Sequence, residues 1–372
     1  MSGAYEGRQF VGMDLHRRRS VLVRMTETGE RLETVRISND PQYLRAVMTR
    51  AGEAPEVVLE ATYGWYWAAD TLAELGATVH LAHPLGVKMF SYRRVKNDER
   101  DAADLADLLR MGRLPEAWIA PPAVRELREL VRHRAKLVGL RSNLKCQIHG
   151  VLAGAGVHVP VSDLFGVDGH TLLARVALPP AARARVNSAL RLIEALDFEV
   201  ELFAKLAAGR LREHPGYLAI QQLPGVGPVL AAVFVAEIGD ITRFDRPARL
   251  ASWAGLTPKH HESDTPVHRG RITKQGSRLV RWAAVEAVQR VPAHTALGQV
   301  REQVGARRGR NIGVVAAAAV DRAGVLRATR RTDPPPRPAT AVHPGGLSGG
   351  ASIVVGAGRA GHDPQPRRGR PV

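Results

Sequence analysis

Short apolar runs alternate with amphipathic stretches over the first third of the chain. Phe10-Val11-Gly12-Met13-Asp14-Leu15-His16 and Val21-Leu22-Val23 read as two strands joined by a basic turn, a hairpin. Val57-Val58-Leu59-Glu60, bounded by Pro55 and Gly64, is short and apolar enough for a buried strand, and another strand run begins near residue 79. Helical spacing recurs near residues 41, 66 and 99. Alternating strands and helices predict an α/β domain over residues 8–115.

The pattern then changes period. After Pro121-Pro122, a helical stretch from Val124 to about Leu152 places Leu127, Leu130, Leu137, Leu140 and Leu144 on one face. A second stretch, from about Ala181 to Arg212, carries Leu190, Ile193, Leu196, Val200, Phe203 and Leu206 along a rough heptad seam. Residues 123–212 therefore predict a helical segment, either an antiparallel hairpin or a dimerising coiled coil, with ordinary packed helices as the plain alternative. The Gly- and Pro-bearing residues 153–180 read as a loop at its tip. Leu223-Pro224-Gly225-Val226-Gly227-Pro228 marks a turn into an apolar helix ending near Gly239, within a mainly helical region at 217–312. From 313 to 372 the chain turns to Ala, Gly, Pro and Arg, including Pro334-Pro335-Pro336. That composition predicts a low-complexity, disordered tail without a packed core.

The formal charge of +17 points to a polyanionic partner such as a nucleic acid, yet residues 301–372 hold 13 arginines against 4 acids. The rest of the chain is only moderately basic. Cys146 is the single cysteine, so no intramolecular disulfide is expected. With no signal-like start and no apolar run of about 18 residues, the sequence predicts a cytoplasmic protein with no membrane partner.

Four acids carry the candidate chemistry. Asp14 falls on the first strand, Glu60 at the carboxyl end of a later one, and Asp98 and Asp101 sit i, i+3 on one helix face. Phosphodiester chemistry uses such oxygen donors to hold two Mg²⁺ ions about 4 Å apart. Each acid also has a plain structural reading: a turn residue, a strand-end charge, a helix cap. Asp104 and Asp107 continue the same helical row, so spacing alone does not choose the ligands.

Gly225 and Gly227 would place backbone N–H groups of a helix N-terminus towards a phosphate, or would simply pack two helices. Downstream, Gly255-Leu256-Thr257-Pro258, Lys259-His260-His261-Glu262-Ser263 and the stretch from His268 to Trp282 combine a nucleophile, basic residues and glycines. Arg269, Arg271, Lys274, Arg278 and Arg281 are candidate phosphate contacts; the last three also fit one solvated helix face.

The four acids, the Pro-Gly-Val-Gly turn and Gly-Leu-Thr-Pro before a Glu-Ser pair occur here in the order found in DEDD transposases of the insertion-sequence 110 family. The chain resembles that family from about residue 8 to 312. The resemblance implies a ribonuclease H-like (RuvC-like) N-terminal domain, a coiled-coil segment and a C-terminal transposase domain with a helix-hairpin-helix element. It places the family's metal-binding acids on Asp14, Glu60, Asp98 and Asp101, the last two within Lys96 to Ala102, and its serine nucleophile on Ser263. It further implies Mg²⁺-dependent cleavage and rejoining of element-end and target DNA by a homo-oligomer, directed by an element-encoded guide RNA. Where the family often has Ser-Gly, this chain has Ser263-Asp264. Two other readings stay open: a structure-selective endonuclease using only the acids, and an inactive nucleic-acid-binding relic.

Overall fold

The computed structural model describes residues 5–90, 97–262 and 267–330. Strands β1 (Phe10–Leu15), β2 (Arg19–Met25) and β3 (Arg31–Ser38) form an antiparallel meander. Helix α1 (Pro41–Met48) returns the chain to β4 (Glu56–Glu60), parallel to β1, and α2 (Tyr66–Glu74) leads to β5 (Thr78–Ala82), parallel to β4. Short α3 (Pro84–Val87) and α4 (Asp98–Arg110) precede the two-residue strand β6 (Glu116–Ala117), which closes a sheet of order β3-β2-β1-β4-β5-β6. The expected α/β domain is present. The sequence signalled no strand at 31–38, because Arg31, Glu33 and Arg36 interrupt the apolar pattern and β3 lies at the sheet edge, with Ile37 alone fully buried.

The sheet is covered on both faces. Val11, Met13, Leu22 and Leu59 pack with Leu44 of α1 and Leu72 of α2, while Val21, Val23 and Met25 meet Ala102, Ala103 and Ala106 of α4. The second contact is close because its residues are small. A Cβ on Gly12 would stand 1.8 Å from the Ala102 carbonyl oxygen, so glycine here lets α4 cross directly over β1.

Helices α5 (Pro122–Gly154) and α7 (Pro180–Leu211) form the long hairpin. Pairs Glu126 with Arg210, His133 with Phe203, and Arg141 with Asp197 show that they run antiparallel. The buried seam of α7 follows Val186, Ile193, Val200, Ala207 and Leu211, whereas Leu206, expected on it, is 45% exposed. Buried positions recur every seven residues from Val186 to Ala207, and Leu206, six residues after Val200, falls one position short of that register, so Ala207 takes the buried place. The expected loop at 153–180 is corrected too, since it contains α6 (Val167–Arg175), whose Leu173 joins Ile148, Leu152, Leu164 and Ile193 in a core at the tip. Gly169 is there for close packing, because a Cβ would lie 2.1 Å from the Leu164 carbonyl oxygen.

The C-terminal part comprises α8 (Pro215–Ile220), α9 (Pro228–Ile238), α10 (Pro247–Trp253), the hairpin β7 (Pro258–Glu262) and β8 (Val267–Ile272), α11 (Arg278–Gln289), α12 (Ala296–Arg308) and α13 (Arg310–Arg330). Helix α9 is apolar almost throughout and is buried from Ala231 to Ile238 among α8, α11 and α13. Proline occupies the first turn of α1, α5, α7, α8, α9 and α10, where its missing N–H costs nothing.

The tail boundary expected at 313 moves. Helix α13 continues to Arg330, and Val314, Ala317, Ala318 and Val325 are buried in the C-terminal core, because alanine favours helix and its small side chain packs closely. Residues 331–372, to which the remaining disorder expectation applies, lie outside the described residues. No described helix is long and apolar enough to cross a membrane.

Arginines fasten the sheet to the helical part. Arg125, buried on α5, pairs with Asp70 of α2 at 2.5 Å. Arg128 donates to the Ala236 and Glu237 carbonyls at 2.9 Å, at the C-terminal end of α9 where the helix dipole favours a cation. Arg243 donates to Ile238 O at 2.8 Å and lies 3.9 Å from the Trp118 ring, with Arg128 at 5.2 Å from the same ring. Burial, with repulsion from Arg128, lowers the Arg243 pKa to about 10.

Candidate active site

Three elements bring the acids together. Asp14 is two residues beyond Gly12 on β1, so both side-chain directions face α4. Glu60 ends β4 one position beyond the paired Met13 and Leu59, placing it beside Asp14 on neighbouring parallel strands. Asp98 and Asp101 occupy the first turn of α4 after the cap residue Asn97, whose side chain accepts from the Glu99 N–H at 3.0 Å. Because Asn97 does the capping, Asp98 is not needed for that role.

Electrostatics record the convergence. The Asp14 carboxyl has its pKa raised, first by burial and then by the nearby charges of Asp98, Asp101 and Glu60; His16 opposes the rise. The His16 Nε2 lies 3.1 Å from Asp14 Oδ2 and 3.4 Å from Asp98 Oδ1. Ligand atoms of Asp14, His16 and Asp98 all lie within 4.8 Å of one another. The donor set fits a divalent cation: hard carboxylate oxygens crowded enough to disfavour ionisation, joined by one imidazole nitrogen.

His16 was not among the sequence candidates. Its signal was position, one residue past the end of β1 and two past Asp14, which alternation places on the same side of the chain. Asp107, one of the alternatives in the helical row, holds Arg110 at 2.6 Å instead.

The second group of candidates is divided by the fold. Gly225 has φ +83°, and a Cβ there would stand 2.1 Å from the Ala287 carbonyl oxygen, so it serves the approach of the turn to α11. Gly227, the N-cap of α9, is exposed with open space around its Cβ direction, leaving that helix end accessible. Arg271, Lys274 and Arg278 are exposed. Arg281 is engaged: its Nη1 donates to the carbonyls of Gln275 at 2.8 Å, Ala254 at 3.0 Å and Gly276 at 3.2 Å. Burial lowers its pKa. Its place is a clamp on the turn before α11. Ser263 lies outside the described residues, as does the Arg269 side chain; β7 ends at Glu262, immediately before the serine.

Comparison with known proteins adds two family profiles. One, described as a transposase of the DEDD IS110 type, matches residues 11–156; the other, the transposase family IS116/IS110/IS902, matches residues 217–304. Among similar curated proteins, the transposase for insertion sequence element IS1111A of Coxiella burnetii is 26% identical over 77% of this chain and 78% of its own length. The insertion element IS116 uncharacterized 44.8 kDa protein of Streptomyces clavuligerus is 26% identical, covering 74% and 82%. A Pseudomonas aeruginosa protein named "Probable family 20 transposase" is 26% identical over 61% of this chain and 68% of its own.

Proposed function

Because the chain belongs to the IS110 family of DNA transposases, we propose that it cuts and rejoins insertion-sequence DNA at a composite site made by the sheet acids and Ser263. The observation that carries this reading is the gathering of Asp14, Glu60, Asp98 and Asp101 where α4 crosses β1. The antiparallel meander followed by two parallel strands, with acids at the ends of adjacent parallel strands, supports a ribonuclease H-like domain. Asp14, Glu60, Asp98 and Asp101 would hold Mg²⁺, in a two-metal site, with His16 Nε2 within reach of the same cation. Bound there, the cation supplies charge neutralisation to a phosphate entering a field of carboxylates.

The chain's own residues then divide the work. Ser263 Oγ bonds to phosphorus as a deoxyribose oxygen leaves and takes up a proton, which keeps the phosphodiester as a protein–DNA ester. Attack on that ester by the hydroxyl of a second strand restores the serine, so joining needs no ATP. The α8–turn–α9 unit reads as the helix-hairpin-helix element, in which Gly227 rather than Gly225 is open to a DNA phosphate. Exposed Arg271, Lys274 and Arg278 extend the basic surface. Target choice by an element-encoded guide RNA would leave those cations with backbone contacts. The exposed Leu202, Leu206 and Phe198 on α7 support assembly of a homo-oligomer through the hairpin.

A denaturing-gel assay with element-end DNA, Mg²⁺ and flanking-region RNA tests the reading. A covalent adduct should form in wild type, map to Ser263 by mass spectrometry, and vanish in Ser263→Ala and Asp101→Ala. Equal cutting by Ser263→Ala without an adduct contradicts the serine step and leaves a metal-dependent endonuclease.

A further inference from the structure

Where the hairpin meets the C-terminal helices, α5, α7, α9 and the start of α11 enclose a cleft of 680 Å³. Its floor is apolar, with Val131, Ala204 and Val233 contributed by three different helices. Trp282 of α11 stands at its wall and remains 39% exposed, although Val280, Ala283 and Ala284 around it are fully buried.

The charges in the cleft do not balance. Glu237 is the one acid among its lining residues, and both its oxygens are taken: Arg132 donates to Oε1 at 2.7 Å and to Oε2 at 3.1 Å, and Ser277 Oγ donates to Oε2 at 3.0 Å. Arg134, Lys136 and Arg278 are left without an acid in the cleft. The buried Nε of Arg134 has no hydrogen-bond partner among the described residues, and burial together with Arg141 disfavours its charge, only partly offset by Glu201 outside the cleft. An anion in the cleft would pair with these cations. Val229, two residues past the open Gly227, also lines the cleft, so the amide end of α9 lies beside it.

We propose that this cleft receives a nucleotide from a single-stranded nucleic-acid segment, with its base against the Trp282 indole and the apolar floor and its phosphate on Arg134 and Arg278. The proposal deepens the reading that the protein acts on DNA and rests on it. A ring-shaped apolar group joined to an anion is what the lining asks for. A base within a duplex exposes only its edges in the grooves, whereas an unpaired base offers a whole face to an indole.

The test uses the full chain and fluorescence anisotropy with oligothymidylate and oligouridylate of about 12 nucleotides, near the span of one single-strand site, beside a blunt duplex. Trp282→Leu should weaken single-strand binding by roughly tenfold, the scale of one lost stacking contact, and leave duplex binding unchanged. Trp282→Phe should retain most of the affinity. Arg134→Ala should lower the salt slope for single strands by about 0.7, the value of one phosphate contact. The oligonucleotide that responds more strongly identifies DNA or RNA as the source.

Equal losses on single strand and duplex, or equal behaviour of Trp282→Leu and Trp282→Phe, overturn the proposal while leaving DNA binding intact. A wild-type chain that binds neither single strand nor duplex overturns the wider reading as well. Protection of Trp282 from iodide quenching in a nucleic-acid-free dimer would mean that a second copy covers the cleft, which also overturns it.

Discussion

Where α4 crosses β1, Asp14, Glu60, Asp98 and Asp101 are held close together, with the His16 imidazole at contact distance from Asp14 and Asp98. In the helical part, from α5 onward, the arrangement is reversed. Arg128, Arg243, Arg281 and Arg301 donate to backbone carbonyls at helix ends and turns, Arg301 reaching Val288 and Val291 at 2.8 Å. The sheet domain thus accumulates unbalanced charge at a site, while the helical domain uses much of its charge as scaffold. A basic sequence therefore overstates the cations left for nucleic acid, and a chain with few acids can still concentrate them.

The contrast is broken most severely at Asp14. Asp14→Asn should lower Mg²⁺-dependent DNA cleavage by at least about 10³-fold, the scale expected when a metal ligand is lost, yet leave the melting temperature unchanged or raised. The sign follows from linkage. The Asp14 pKa is raised in the folded chain, so the folded state binds this proton more tightly than the unfolded state. Without metal, stability present below the ordinary carboxylate range is lost as pH rises from that range through the raised value. Melting scans across that window should fall in wild type and flatten in Asp14→Asn; a rise in wild type would contradict the crowding.

Glu237 is the acid that belongs to the scaffold. It is 3% exposed and engages Arg132 and Ser277, so Glu237→Ala should cost about 3 kcal/mol in urea unfolding, the scale of a broken buried pair. A loss of activity without loss of stability would move Glu237 to the functional side of the comparison.

The two glycines of one turn sharpen it further. Gly225→Ala forces a Cβ onto the Ala287 carbonyl at positive φ and should cost about 2 kcal/mol. Gly227→Ala meets open space and should cost under about 1 kcal/mol. Thermal melts of the two variants decide the ranking.

The smallest effects separate two arginines a single turn apart. Arg281→Gln should cost about 1 kcal/mol, as its carbonyl bonds are lost, and leave the salt dependence of DNA binding alone. Arg278→Gln should hardly affect stability, while the duplex salt slope drops by about 0.9, the value of one phosphate contact.

The sequence disclosed what depends on local period and punctuation. The strands at 10, 21, 57 and 79 follow from short apolar runs, and prolines mark the starts of α5, α7 and α9. Edge strand β3 carries no apolar run because Ile37 alone of its 8 residues is buried, and α6 is masked in the sequence because glycines needed for packing resemble glycines needed for turns. Helix α13 was obscured by a composition rich in alanine and poor in large apolar residues. At the site, the acids and their strand and helix contexts were legible. The part of His16 was not, since it depends on the register of β1 against α4, set by Gly12 and Ala102. Likewise, nothing local to Arg281 shows that the carbonyls of Ala254 and Gln275 surround it.

The central claim, that the acids at the β1–α4 crossing form a cation site, is tested most directly by anomalous diffraction from crystals grown with Mn²⁺. A peak within coordination distance of Asp14 and Asp98, lost in Asp14→Asn, is the predicted result. A well-ordered crossing with no peak there, or with Mn²⁺ bound only elsewhere, would contradict it.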